Sequence, residues 1–229
     1  MIISTGKSRT STQWTNREVE WKDIVKKLSK TTYTAETQPE YMRMSRDEQA
    51  DIKDIGGFVG GSLKDGRRNG NSVQFRTLLT LDIDFGRPDT LELLQDNLPG
   101  AWLIYSTHKH TPQEPRLRLV APFSRPVTAD EYPAIARKIA EYIDIELFDA
   151  TTYEPSRLMY YPSTSKNAEF VSYVNPGEAL DVDYWLGQYE DWHDMSSWAV
   201  SSREKKLINR EVKKQQDPTT KNGVIGAFC

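Results

Sequence analysis

Two aspartates stand two residues apart in an otherwise apolar segment, residues 79–85. Because side chains alternate along a β-strand, Asp82 and Asp84 are expected to share one face, with the apolar residues on the other. Adjacent like charges repel, and their desolvation adds a cost that a divalent cation would offset. Carboxylate oxygens favour magnesium or manganese. The alternative is a strand end where both aspartates meet water, since the turn at residues 86–88 follows directly. If repulsion dominates, Asp82→Ala leaves the fold intact or slightly more stable.

Two further pairs have the same spacing. Ser106 and His108 follow the apolar segment 101–105, and a hydroxyl and an imidazole that face one way can hold phosphate oxygens. Alternatively, His108 bonds a neighbouring carbonyl at a strand end. Arg116 and Arg118 share one face of another apolar segment, which suits phosphate or a nucleic-acid backbone. An ordinary half-exposed strand explains the arginine pair equally well.

A third acidic residue and a basic loop complete the candidate set. Asp149 follows an apolar pair, and Arg157 lies at the start of a short apolar segment. Together they could complete a metal and phosphate site, or they could form a buried ion pair. The loop residues Lys64, Arg67 and Arg68 could steer nucleic-acid phosphates, although a solvated turn accounts for them as well.

The pattern of apolar residues predicts the elements that position these side chains. Residues 30–50 are polar with little periodicity. Apolar spacing and helix-start residues predict helices over 14–28 (starting near Thr15-Asn16), 90–98 and 128–145. Apolar runs predict strands over 2–4, 73–85, 101–106, 116–122, 157–161 and 167–174. This order favours an α+β fold, a mostly antiparallel sheet with flanking helices, over a doubly wound parallel sheet.

Composition excludes several classes of protein. The 229 residues suit one large domain, or one domain with an appendage, and the six tryptophans can fill a core. No apolar run approaches the roughly 18 residues of a spanning helix, which argues against a membrane protein. The single cysteine, Cys229, excludes a disulfide framework and a cysteine-based zinc site, and it favours a reducing cytoplasm. The net charge of −3 excludes a wholly basic nucleic-acid coat but allows a local basic groove.

The order and spacing of the motifs are more specific than any one of them. They run Asp-x-Asp, Ser-x-His, Arg-x-Arg and then an aspartate with a downstream arginine. This order resembles archaeo-eukaryotic-type primases and primase-polymerases of phages and mobile elements. The matching positions are Asp82, Asp84, Ser106, His108 and Asp149. The segments 56–61, 79–85 and 157–162 also resemble the primase module fused to phage helicases. The resemblance covers residues 50–175 well and the first fifty less closely.

The resemblance implies an RRM-like sheet that carries the acids and a two-metal nucleotidyl transfer with Mg²⁺ or Mn²⁺. It assigns catalysis and metal binding to Asp82, Asp84 and Asp149. It assigns the triphosphate contacts to Ser106, His108, Arg157 and one of Arg118 and Arg116. The implied substrates are a single-stranded DNA template and ribonucleoside or deoxyribonucleoside triphosphates. Many relatives carry a zinc-binding insert, but no zinc is expected here because the cysteines are missing.

The domain organisation follows from the change of character near residue 200. Residues 1–200 are predicted to form the catalytic domain, with residues 1–50 as an αβ unit packed on it. Residues 201–229 read as a charged linker or helix that leads toward a missing C-terminal domain, because the final residues 223–229 turn apolar again. A helicase domain or partner, acting in the cytoplasm of a bacterial host, would fit this organisation.

Two other functions fit parts of the sequence. A rolling-circle nicking endonuclease also uses an RRM-like sheet, and it needs a His-hydrophobic-His metal pair and a nucleophilic tyrosine. His108 and His110 offer the pair and Tyr132 or Tyr142 the nucleophile, but Lys109 puts a positive charge between the histidines. The other function is a primase-like module that binds DNA or loads a helicase without catalysis. A domain whose carboxylates serve only structure is the remaining interpretation.

Overall fold

The computed structural model describes residues 1–216, which form eleven strands and seven α-helices. The strands are β1 (Ile2–Gly6), β2 (Thr15–Glu18), β3 (Thr32–Tyr33), β4 (Gly57–Val59), β5 (Gly61–Leu63), β6 (Val73–Ile83), β7 (Trp102–Ser106), β8 (Leu117–Val127), β9 (Met159–Tyr160), β10 (Ser163–Thr164) and β11 (Ser172–Asn175). The helices are α1 (Trp21–Leu28), α2 (Gln38–Arg43), α3 (Arg46–Ile52), α4 (Thr90–Asn97), α5 (Glu131–Ile143), α6 (Val182–Leu186) and α7 (Ser202–Gln216).

A five-stranded antiparallel sheet forms the centre of the domain, in the order β11-β7-β8-β6-β5. Strands β6 and β8 are its long central pair, each eleven residues. Leu79, Leu81 and Ile83 of β6 point to one face and pack in a single apolar cluster with α5. The predicted alternation along this strand is therefore confirmed, and it leaves Thr80 and Asp82 on the opposite face.

The helices α4, α5 and α6 cover that apolar face. Helix α5 buries Ile135, Ile139 and Ile143 against the sheet. Thr128 and Glu131 cap the start of this helix. The Glu131 N–H donates to the Thr128 hydroxyl, and the Thr128 N–H donates to the Glu131 carboxylate. The helix is therefore shorter at both ends than the predicted 128–145.

A second layer covers the other face of the central sheet. It consists of the four-stranded sheet β2-β1-β4-β9 together with α1. Strands approach very closely at glycines in both sheets. A Cβ at Gly57 of β4 would lie 2.4 Å from the Met159 carbonyl oxygen, and in the central sheet one at Gly61 of β5 would lie 2.1 Å from that of Phe75. The glycine-rich segment 56–61 thus serves strand packing.

One predicted helix start is wrong. Residues 15–18, predicted to begin the first helix, form β2, which pairs with β1 from Thr15↔Thr5 to Glu18↔Ile2. The Asn16 side chain explains the difference, since its amide donates to the Leu63 carbonyl and its carbonyl oxygen accepts from the Leu63 N–H. The helix begins at Trp21, where Glu20 and Asp23 form a capping box.

The polar segment 30–50 contains β3, α2 and α3. Both helices begin with a capping box, Thr37 with Glu40 and Ser45 with Glu48. These Thr-x-x-Glu and Ser-x-x-Glu sequences were the available signal for helix starts. Strand β3 then pairs in parallel with β10, which ties this segment to residues 163 and 164.

The predicted fold class, α+β with a mostly antiparallel sheet and flanking helices, is confirmed. The strands predicted at 157–161 and 167–174 are shorter and shifted, as β9 and β11. In the charged C-terminal segment, the described residues after 200 form α7; residues 217–229 lie outside the described part. No helix within residues 1–216 is long and apolar enough to cross a membrane.

Candidate active site

A cavity of about 540 Å³ opens where the ends of β6 and β8 meet the segment 153–163. Seven basic side chains line it: Arg9, Lys53, Arg68, Lys109, Arg116, Arg118 and Arg157. Three acidic side chains join them: Asp82, Asp84 and Glu154. The cavity is therefore positive although the chain carries a net charge of −3. Its volume is in the range of small-molecule sites, and its charge suits a polyanion.

Asp82 lies at the base of the cavity, in register with Arg118 on β8 and, through it, with Tyr105 on β7. Its carboxylate is paired with arginines on both oxygens. Arg118 Nε donates to Oδ1 at 2.7 Å, and Arg157 Nε and Nη2 each lie 3.3 Å from Oδ2. Burial alone would lower the pKa of Arg118, but the Asp82 charge raises it above its ordinary value. The pair is thus a buried ion pair of fixed geometry.

Asp84 and Asp149 flank Asp82. The Asp84 carboxylate lies 3.2 Å from Arg116 Nη1 and is half-exposed. The Asp149 backbone N–H donates to the Asp82 carbonyl at 3.0 Å, which brings the third acid beside the first. Its Oδ1 accepts from the Thr151 N–H and hydroxyl, and its Oδ2 lies 3.7 Å from Arg157 Nη2. The structure therefore places the three predicted acids together and pairs each with an arginine.

The pairs between aspartates and arginines determine how a divalent cation would bind to the three carboxylates. Within residues 1–216, no group of three His, Cys, Asp or Glu side chains is arranged to hold a metal ion. Arginines offset the repulsion between the aspartates. The donor chemistry nevertheless suits Mg²⁺ or Mn²⁺, because the donors are carboxylate oxygens and Asp84 and Asp149 stay partly exposed. Arg157 is the exchangeable partner, since its contacts to Asp82 and Asp149 are long and its side chain is 31% exposed, against 10% for Arg118.

His108 lines the cavity with both ring nitrogens engaged. Nε2 lies 2.8 Å from Glu36 Oε1, and Nδ1 lies 2.9 Å from the Ser163 hydroxyl. Its ring centroid lies 4.2 Å from that of Tyr41. Burial lowers the pKa of His108 despite the opposing effect of Glu36. His108 therefore forms part of the cavity wall, held by residues from the N-terminal fifty.

Ser106 is not brought to the cavity. Its register partner is Leu117, so the alternation of β7 directs it to the face that carries Ile104 and the helices. Its hydroxyl accepts from the Val171 N–H at 2.9 Å, and its side chain is fully buried. The prediction that Ser106 contacts the triphosphate is corrected: Ser106 fixes the edge of the sheet, and His108 lies beyond the strand end.

A family model described as the VapE N-terminal domain matches residues 1–201. The chain belongs to the VapE N-terminal domain family. This membership confirms the resemblance to phage and mobile-element primase modules inferred from the motif order. This chain is also similar to a solved structure, the AEP domain (PP-N190) of the primase-polymerase of cyanophage S-2L. The TM-score is 0.45 at 13% sequence identity, over 81% of this chain and 86% of that chain. No curated protein matches the sequence.

The predicted basic loop of this VapE N-terminal domain divides into two parts. Lys64 and Arg67 are exposed to solvent. Arg68 instead lines the cavity, with its guanidinium 5.4 Å from the Trp14 ring centroid and its Nη2 donating to the Arg9 carbonyl. Arg68 is thus the member of the loop placed to meet a ligand in the cavity.

The residues of the nicking alternative do not converge. Tyr132 is buried and donates its hydroxyl to the Thr80 carbonyl, while Tyr142 lies on the exposed side of α5. Neither tyrosine lines the cavity that contains His108. His110 accepts from the Arg116 N–H through Nδ1 instead of facing the same point as His108.

Sequence reasoning missed two residues that line the cavity, Lys53 and Arg9, and it missed Glu36, which bonds His108 in the cavity wall. Glu36 lies 72 positions from His108, and no short-range pattern links them. Arg9 bonds Asp51, 42 positions away. The available signal was weak: the Thr-x-x-Glu and Ser-x-x-Glu sequences at residues 37–48 mark helix starts, without indicating which way the side chains of the helices point.

Proposed function

We propose that this domain is a metal-dependent nucleotidyltransferase that copies single-stranded DNA from nucleoside triphosphates, as a primase or primase-polymerase. One observation carries the proposal: Asp82 and Asp84, with Asp149 bonded to the Asp82 backbone, lie at a cavity whose other charged lining residues are almost all basic. A triphosphate and divalent cations bring the complementary charges to such a site. Membership of the VapE N-terminal domain family supports the same function.

In this proposal the acids hold the cations. Asp82, Asp84 and Asp149 would bind two Mg²⁺ or Mn²⁺ ions, which when bound would neutralise charge on the attacking and leaving oxygens of the transfer. The chain prepares the acids for that task. Arg118 holds Asp82 in place, and the hydrogen bonds from Thr151 orient Asp149.

The arginines would divide between positioning and phosphate binding. Arg118 is buried against Asp82, so it is a positioning residue. Arg116 and Arg157 are each 31% exposed, and either can exchange a carboxylate for a phosphate oxygen. Arg116 is therefore a better triphosphate ligand than Arg118. His108 would support the wall of the pocket and could contact phosphate only by giving up Glu36 or Ser163.

The test is a primer-synthesis assay with a single-stranded template, labelled ribonucleotides and deoxyribonucleotides, and Mg²⁺ or Mn²⁺. Wild type is compared with Asp84→Asn, which keeps the size of a half-exposed side chain, and with Asp96→Asn, an exposed carboxylate of α4 outside the cavity. Metal-dependent products from wild type and Asp96→Asn, with a loss of about a hundredfold or more in Asp84→Asn, support the proposal.

Other outcomes would overturn it. A cut template covalently attached to the protein would establish the nicking function. Template binding without any product, under all nucleotide and metal conditions, would establish a non-catalytic DNA-binding module. Equal synthesis by Asp84→Asn and wild type would remove Asp84 from the site. The helicase domain or partner, and the cytoplasm of a bacterial host, stay predictions.

A further inference from the structure

Most basic residues of the cavity already have an acidic partner. Arg116, Arg118 and Arg157 pair with the aspartates. Arg9 pairs with Asp51 at 2.6 Å. Within residues 1–216, neither Lys53 nor Lys109 has a carboxylate oxygen within 4 Å of its ammonium nitrogen. The cavity therefore contains positive charge that its own acids do not neutralise.

Lys53 is the better placed of the two lysines. It directly follows α3, and the Ser163 hydroxyl that bonds His108 also donates toward the Lys53 carbonyl oxygen at 3.2 Å. Its backbone is thereby fixed to the same wall as His108. Its side chain is half-buried, and Nζ lies 5.1 Å from the centre of the Tyr160 ring. The ammonium group is thus directed along the cavity wall toward the acid–arginine cluster.

The surroundings of Lys53 disfavour a lone ammonium group. Burial lowers the pKa of Lys53, and the nearby charges of Arg118 and Lys109 lower it further. The carboxylates of Asp82 and Asp84 oppose this shift without reversing it. A cation that is partly desolvated and repelled by like charges gains most when an anion enters between them. An inert structural lysine would instead reach into solvent or pair with an acid.

We propose that Lys53 binds phosphate oxygens of the nucleoside triphosphate. The N-terminal segment thereby supplies a residue that distinguishes nucleotides by their number of phosphates. This inference rests on the proposed function, because it takes the triphosphate as the occupant of the cavity. The aspartate-bound arginines must release a carboxylate before they can bind phosphate, whereas Lys53 needs no release. Lys53 is therefore available to the incoming phosphates without the loss of an ion pair.

The experiment measures equilibrium binding without catalysis, by titrating a fluorescent nucleoside triphosphate, the diphosphate and the unphosphorylated nucleoside. Wild type is compared with Lys53→Met, with Lys53→Arg as the conservative variant, and with Lys26→Met, an exposed lysine of α1 outside the cavity. We expect Lys53→Met to weaken triphosphate binding about tenfold or more, since a charged hydrogen bond is lost. Nucleoside binding should stay unchanged, Lys53→Arg should recover part of the affinity, and Lys26→Met should behave as wild type.

Two results would overturn the inference, and they are distinguishable. If wild type and Lys53→Met bind the triphosphate equally, Lys53 is not a phosphate ligand, although the proposed function stands. If wild type binds no triphosphate with or without Mn²⁺, the proposed function fails and the inference with it. A thermal melt of each variant checks that it folds. Lys53→Gln replaces Lys53→Met if methionine over Tyr160 disturbs the wall.

Discussion

The pairing of Asp82 with two arginines reverses an expectation drawn from the sequence. If the aspartates simply repelled each other, Asp82→Ala would leave stability unchanged or raise it. In the structure, Asp82 is 5% exposed and holds Arg118, whose side chain is 10% exposed. Removing the carboxylate leaves the Arg118 guanidinium buried without its partner. Breaking one half of a buried ion pair costs about 3–5 kcal/mol.

The matched comparison is the neighbouring pair of Asp84 and Arg116. Their side chains are 35% and 31% exposed, and exposed pairs of this kind contribute about 0.2–1 kcal/mol. We therefore expect Asp82→Ala to lower the free energy of unfolding several times more than Asp84→Ala does. Replacing the whole buried pair, as Asp82→Ala with Arg118→Met, should recover most of the loss, because no buried charge is then left unpaired.

The assay is urea unfolding followed by tryptophan fluorescence, in EDTA so that no divalent cation contributes. The six tryptophans give the signal, and the dependence of the unfolding free energy on urea must be the same in all variants for the comparison to hold. An Asp82→Ala loss as small as that of Asp84→Ala would refute the argument, and so would a double variant less stable than Asp82→Ala alone.

Two further predictions concern Arg157 and His108. Arg157→Gln should bind Mn²⁺ more tightly than wild type in the absence of nucleotide, because the cation then has no guanidinium to displace from Asp82 and Asp149. Calorimetry measures this affinity, and binding equal to or weaker than that of wild type would contradict the prediction. The pKa of His108 lies below its ordinary 6.5 in the folded state, so the unfolded chain binds more protons below that pH and stability falls with acid. His108→Gln should flatten this fall below pH 6.5 by up to about 1.4 kcal/mol per pH unit. Chemical unfolding at several pH values measures the slope, and a slope equal to that of wild type would contradict the assignment.

Local pattern predicted the central sheet well. Alternation over residues 79–83 identified β6 and put Asp82 on the face opposite Leu81, because one buried face fixes the period of two. The same rule failed at Ser106, because the prediction took Ser106 and His108 as one strand face, whereas β7 ends at Ser106. The alternation of side chains between the two faces of a sheet holds only within a strand.

The contacts that complete the site could not be read from short-range pattern. His108 meets Glu36 through segments that lie far apart in the sequence. Lys53 reaches the cavity at a point where its backbone carbonyl bonds the Ser163 hydroxyl, 110 positions away. The pairs between aspartates and arginines could partly have been predicted from the sequence, since pairing the strands at 79–83 and 117–121 sets Asp82 opposite Arg118. Without that strand register, the sequence indicated only that the two adjacent acids repel each other. In the fold, arginines neutralise their charges.

The pairing of β3 with β10 also determines when the cavity can form. Thr32 pairs with Ser163, and the Thr31 and Thr164 hydroxyls bond across a sequence separation of 133 residues. Contacts of such high sequence separation form slowly in folding. During synthesis on the ribosome, the N-terminal segment cannot pair with residues 163 and 164 until these have been made. A nascent chain can therefore form β6, β7 and β8 before the wall of the cavity is complete. The part of the cavity wall that residues 31–53 contribute is therefore completed only after residues 163 and 164 are in place.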